Sequence, residues 1–171
     1  SGEGVQVLSE ALLQCPGRVS EVDFSRNAIA SRASSALDTV AGLNCTISNL
    51  NLGGTQLSDD HGARLMLAFV KAPAGTKPPQ QLLKLDLSRN KLGKECALAL
   101  PNALATCVAL GSLDLSRNDL GVAGGIAVAK ALPKAPVLKV LDLSSTNLCS
   151  CTPNQPTATR DAWMADALGE L

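Results

Sequence analysis

Short runs in which apolar and polar residues alternate recur along this chain. Each is followed by a stretch in which apolar positions return at helical spacing. Leu85-Asp86-Leu87-Ser88-Arg89-Asn90 reappears 28 residues later as Leu113-Asp114-Leu115-Ser116-Arg117-Asn118, and again after 28 as Leu141-Asp142-Leu143-Ser144-Ser145-Thr146. Upstream, Leu50-Asn51-Leu52-Gly53-Gly54-Thr55 lies 35 residues before Leu85, and Val22-Asp23-Phe24-Ser25-Arg26-Asn27 lies 28 before Leu50. The longer interval holds about seven extra residues around Lys71 to Pro79, a stretch rich in proline, glycine and lysine that reads as a surface loop. Alternation at pairs such as Leu85 and Leu87 predicts a short strand with one buried face.

After each strand the apolar spacing becomes helical. Ala33, Leu37 and Ala41 stand four apart, as do His61, Leu65 and Phe69, then Cys96, Leu100 and Leu104, and finally Gly124, Val128 and Leu132. Each set predicts a stripe on a helix turned toward the sheet. Pro101 falls inside one of these helices and is expected to kink or interrupt it. A fixed period of this length is the mark of a solenoid, in which function is carried along a repeated surface. Residues 1–148 form the repeat array: a partial unit over 1–18, then five strand-bearing units starting near 19, 47, 82, 110 and 138. Residues 149–171 are read as an irregular segment followed by a C-terminal capping helix near Thr159 to Leu168, which would give Trp163 a packing surface.

From Val5 to Leu148 this pattern resembles a leucine-rich repeat of the ribonuclease-inhibitor type. The resemblance implies an α/β leucine-rich-repeat solenoid, a horseshoe arc with parallel strands on the concave face and α-helices on the convex face.

Asn27, Asn90 and Asn118 follow the strand at one offset, with Thr55 and Thr146 replacing asparagine in two units. An asparagine here satisfies backbone groups that a tight turn leaves unpaired, so the column reads as a structural turn ladder. The residues between the buried leucines give a second column: Asp23, Asn51, Asp86, Asp114 and Asp142. Strands about 4.8 Å apart would make it an acidic stripe. Like charges at that spacing repel by about 1 kcal/mol, without an obvious local benefit. Ser25, Gly53, Ser88, Ser116 and Ser144 form a neighbouring column of small residues that would leave room for a partner. Arg26, Arg89 and Arg117 stand at the strand exits, placed to answer the aspartates or reach a ligand. Two readings of this face stay open: solvated scaffold or concave binding surface.

Composition narrows the partners. Fifteen basic and fifteen acidic residues cancel, which removes the global field expected for nucleic acid or an anionic membrane. Phe24, Phe69 and Trp163 are the only aromatics, too few for a base-stacking platform. No run of about 18 apolar residues predicts a membrane span, and the opening residues lack the features of a signal peptide. The chain opens within the helix of an earlier unit, so it reads as part of a larger protein. Six cysteines show no paired framework, and only Cys149 and Cys151 cluster, with the single histidine, His61, far away. Free thiols in a reducing cytosol follow, with no metal site, no cofactor and no catalytic residue. Asn44-Cys45-Thr46 is taken as a chance match to a glycosylation acceptor. His61 reads as a first-turn helix residue with no serine or cysteine beside it.

The opening Ser1-Gly2 through Gln6-Val7-Leu8, the long unit ending near Pro78-Pro79-Gln80-Gln81-Leu82, and Asn118-Asp119-Leu120-Gly121 resemble the leucine-rich domain of the CARMIL family of actin-capping regulators. That resemblance implies a non-catalytic, cytoplasmic protein–protein interaction scaffold within a larger cytoskeletal protein. Its partners would be proteins, with no nucleic acid and no membrane insertion, and any oligomer would form through flanking regions outside this chain. The alternative is a GTPase-activating protein of the Ran type using a loop arginine, for which Arg26 before Asn27 is the comparable pair. The same pair recurs at Arg89-Asn90 and Arg117-Asn118, so no single arginine stands out.

Overall fold

Alternation and helical spacing translate into strand–turn–helix units in the computed structural model, which describes residues 2–14, 19–29, 34–43, 47–70 and 82–148. The order is α1 (Gly2–Leu13), β1 (Glu21–Asp23), α2 (Ser34–Gly42), β2 (Asn49–Asn51), α3 (Asp59–Val70), β3 (Lys84–Asp86), α4 (Lys94–Thr106), β4 (Ser112–Asp114), α5 (Gly121–Ala131) and β5 (Val140–Asp142). The five strands lie side by side in chain order, all parallel. This is a leucine-rich-repeat solenoid. Equivalent residues pair across it: Val22 with Leu50, Leu50 with Leu85, Leu85 with Leu113, and Leu113 with Leu141. The register holds between β2 and β3 in spite of the longer interval.

β1 to β4 each bury their middle residue and turn their first and third residues away from the core. Leu50, Leu85 and Leu113 are buried, as are Leu52, Leu87 and Leu115 one step further on. Helices pack on their sequence neighbours: α1 on α2, α2 on α3, α3 on α4, and α4 on α5. Gly62 permits the closest approach, because a Cβ there would stand 2.5 Å from Leu92 Cδ2 and 2.8 Å from Cys96 Sγ. Toward the C-terminal edge the core thins, and Leu138, Leu141, Leu143 and Leu148 are only partly buried.

Two expectations about the helices need correction. Pro101 does not interrupt α4, which runs from Lys94 to Thr106 with the proline inside it. Leu100, Ala103 and Leu104 anchor both sides of the ring in the core, and such packing outweighs the roughly 3 kcal/mol that an interior proline costs. Leu132 does not join a buried stripe and is 43% exposed. α5 ends at Ala131 and gives way to a 3-10 turn over Leu132–Lys134. Leu132 itself keeps helical backbone angles, but Pro133 has no N–H to carry the α-helical ladder further, and the buried face is Gly124, Ala127, Val128 and Ala131. The expected loop around Lys71 to Pro79, Ala33, the capping helix with Trp163, and Cys15, Cys45, Cys149 and Cys151 lie outside the described residues.

Candidate functional site: the concave face and its turns

The aspartate column serves a local purpose that spacing alone did not reveal. Asp23 Oδ1 accepts the Ser25 N–H at 2.7 Å. Asp86 does the same for Ser88, Asp114 for Ser116 and Asp142 for Ser144, each at 2.8 Å. Asn51 Oδ1 accepts the Gly53 N–H at 2.9 Å. These are Asx turns, in which a side-chain oxygen bonds the backbone two residues on and starts the turn out of the strand. The expectation of a stripe without local benefit is therefore corrected: the bond offsets the repulsion of about 1 kcal/mol between neighbouring carboxylates.

Two of these groups titrate abnormally. The Ser25 hydroxyl and N–H hold the Asp23 carboxyl below its usual value, helped by Asn51 and the nearby Arg26 guanidinium. The N–H and hydroxyl of Ser144 hold Asp142 down in the same way.

In the three middle units the neighbouring small residues are not vacant room, while Ser25 is half-buried and Ser144 exposed. Ser88 and Ser116 are buried, and a Cβ on Gly53 would lie 3.1 Å from Asn51 Oδ1, 3.2 Å from Ser88 Oγ and 3.3 Å from Asp86 Oδ1. The column is small because the Asx turns of two units fill the space above it. What remains open is a shallow groove of about 410 Å³ across β1 to β4, bordered by Glu21, Asp23, Asn51, Lys84, Asp86 and Asp114. At one flank Asn49 donates to Glu21 Oε1 at 2.6 Å.

The asparagine column is where units join. Asn118 Nδ2 donates to Leu115 O at 2.8 Å and Ser116 O at 3.2 Å in its own turn, and to Leu87 O at 3.0 Å in the preceding unit. Its Oδ1 accepts the preceding unit's Leu92 N–H at 3.1 Å. Asn90 repeats this toward Leu52 O at 2.9 Å and the Leu57 N–H at 3.0 Å. Among the described residues, exposed Asn27 donates its side-chain N–H only to Phe24 O and Ser25 O of its own turn. Thr55 donates to Leu52 O and lies 3.2 Å from Asn90 Oδ1. Thr146 reaches Leu143 O.

The three arginines occupy one conformation. Arg26, Arg89 and Arg117 have φ of 59°, 56° and 56°, while Gly54 and Ser145 fill the same place with φ of 65° and 58°. Left-handed backbone costs a non-glycine residue about 1 kcal/mol. The turns are stitched together by backbone bonds from Arg26 N to Gly53 O, Gly54 N to Ser88 O, Arg89 N to Ser116 O and Arg117 N to Ser144 O. All three arginines are exposed. Among the described residues the ion pairs within 4.0 Å are Arg64–Asp38 and Lys94–Glu95, so these guanidinium groups pair with none of the aspartates. Their equivalence gives a loop-arginine activator no distinguished residue.

Two capping arrangements escaped the sequence reading. Ser58 Oγ lies 2.7 Å from His61 Nδ1, and the Ser58 N–H donates to the same nitrogen at 3.3 Å. A serine does stand beside the histidine, then, because both belong to a reciprocal cap at the start of α3. Serine and a polar residue three positions later was the available signal. Asp59 is less local: its Oδ1 accepts the N–H groups of Gly93 and Cys96, both at 2.8 Å, and its Oδ2 that of Glu95 at 3.0 Å. One unit's carboxylate thus caps the next unit's helix, whose own Gly93 has no side chain to do so. Burial, with the Asp59 charge adding to it, pushes the Cys96 thiol up to about 12.

The family model described as Leucine Rich repeat matches residues 80–100 and 110–129. No curated protein matches the chain. Among solved structures, leiomodin-1 actin-binding site 2 superposes with a TM-score of 0.64 at 16% identity, covering 95% of this chain and 88% of that one. The tropomodulin C-terminal domain from Caenorhabditis elegans does so with a TM-score of 0.57 at 17% identity, covering 96% and 91%. At such identities the likeness is one of fold. No helix among the described residues is long and apolar enough to cross a membrane.

Proposed function

We propose that this chain is a non-catalytic protein-interaction scaffold of the actin-regulatory machinery, working in the cytoplasm as part of a larger protein. The observation that carries the reading is the concave sheet, whose Asx turns consume one oxygen of each aspartate and hold the charged column at strand spacing. A surface so fixed binds without paying for side-chain ordering. The actin connection is supported by the fold shared with the named actin-binding site of leiomodin-1. The narrower resemblance to the ribonuclease-inhibitor-type repeats of CARMIL proteins belongs to the same proposal.

Charge and turn can be separated experimentally, because Asn51 already makes the Asx bond without a charge. The purified chain and its Asp86→Asn/Asp114→Asn/Asp142→Asn variant are tested for co-sedimentation with filamentous actin and for binding to monomeric actin. Binding by the parent that weakens in the variant is the expected result. No binding to either form of actin refutes the actin reading, and equal binding by both proteins moves the site off the aspartate column.

A further inference from the structure

We infer that the turn-borne arginines form a docking row for the carboxylates of an extended protein segment of mixed charge. This rests on reading the chain as an interaction domain, and it adds a second, basic track beside the acidic one. Three separate observations carry it.

The first is conformational. The position accepts glycine, as Gly54 shows, yet Arg26, Arg89 and Arg117 take the left-handed backbone instead. Nothing in the turn needs the side chain, because the bonds that stitch adjacent turns come from the backbone N–H of this residue. The second is electrostatic. All three side chains are exposed and none has an ion-pair partner within 4.0 Å among the described residues, although Arg26 lies near enough to Asp23 to act on its charge. The neighbouring carboxylates are already engaged through Oδ1 with the Ser25, Ser88 and Ser116 N–H groups. The third is spacing. The backbone ladder fixes these turns one per strand, so Arg89 and Arg117 repeat at about 4.8 Å. Arg26 leans over the gap at Gly54, its Cγ 3.9 Å from where a Cβ would stand.

Guanidinium groups favour planar, bidentate acceptors, which carboxylates and phosphates both supply. The aspartate column decides between them. A polyphosphate backbone on the arginine row would lay continuous negative charge beside Asp86 and Asp114, whereas an extended polypeptide alternates its side chains. Acidic residues on one edge would meet the arginines, and basic residues on the other would meet the aspartates.

The test uses a fluorescein-labelled alternating Glu-Lys peptide, with oligothymidine as comparator, against the parent chain and an Arg89→Gly/Arg117→Gly variant. Glycine suits positive φ, so the variant is expected to keep or raise the melting temperature. The row predicts that the peptide binds the parent, binds the variant about tenfold more weakly, and outcompetes oligothymidine. No binding of the peptide, equal affinity in both proteins, or tighter binding of oligothymidine each overturns the proposal. So does a lower melting temperature in the variant, which would make the arginines structural. The outcome is independent of actin: a chain that ignores actin can still hold the peptide through its arginines, and the reverse.

Discussion

The turn at Asn27 and the turn at Asn118 are written almost identically, yet they are physically different places. Both follow a strand ending in aspartate, both begin with an Asx bond, and both place an arginine at positive φ. Asn118 is buried and holds two units together, whereas Asn27 is exposed and, among the described residues, its side chain holds only its own loop. Local sequence sets the shape of the turn, and stacking sets what that turn contributes.

The largest effect expected from this contrast is at the asparagines. Asn118→Ala leaves the Leu92 N–H and the Leu87 carbonyl without their side-chain partner in a buried setting, and should cost about 3 kcal/mol. Asn27→Ala should cost less than about 1 kcal/mol, since water replaces its bonds. Urea unfolding of the two variants measures the gap, and equal losses would break the distinction between stacked and outer turns. Gly62→Ala forces a methyl against Leu92 and Cys96 between α3 and α4, with an expected loss of about 2 kcal/mol. Asp59→Ala should cost about 1.5 kcal/mol by exposing the N-terminus of α4. Asp59→Asn should recover part of that, as calorimetry would show.

The smallest effect is that of pH. Asp23 and Asp142, in the first and last turns, have folded values below the ordinary 3.8. Between the folded and unfolded values the unfolded chain binds more protons. Their stabilisation is therefore present above about 4 and is lost as pH falls through the lower folded values. Amide exchange should show Ser25 and Ser144 losing protection on acidification before Leu113 does. Simultaneous loss would mean that the outer turns are as tightly coupled as the centre.

Period and alternation made most of the fold legible, because Leu85, Leu113 and Leu141 repeat the same burial problem at the same spacing. Charge at Asp86 and Asp114 was legible as a column, but its hydrogen bond was not. A carboxylate's bond to the amide two residues on depends on backbone angles that composition does not reveal. The Asp59 cap was further from view, since its partners lie 34 to 37 residues away, across a unit boundary. Leu132 was misread because the helix period was carried one step past the end of α5, where Pro133 has no N–H to continue the ladder.

The asparagine bonds also have a direction: Asn90 and Asn118 both reach back to the unit before them. On a ribosome, where the N-terminal end emerges first, a turn is completed only by the unit that follows it. The Leu57 amide waits for Asn90 and the Leu92 amide waits for Asn118, which lies 26 residues later. At typical synthesis rates that delay is about 1 to 5 seconds. The units of β2 and β3 therefore each carry an unfinished turn until the unit that follows brings the asparagine that seals it.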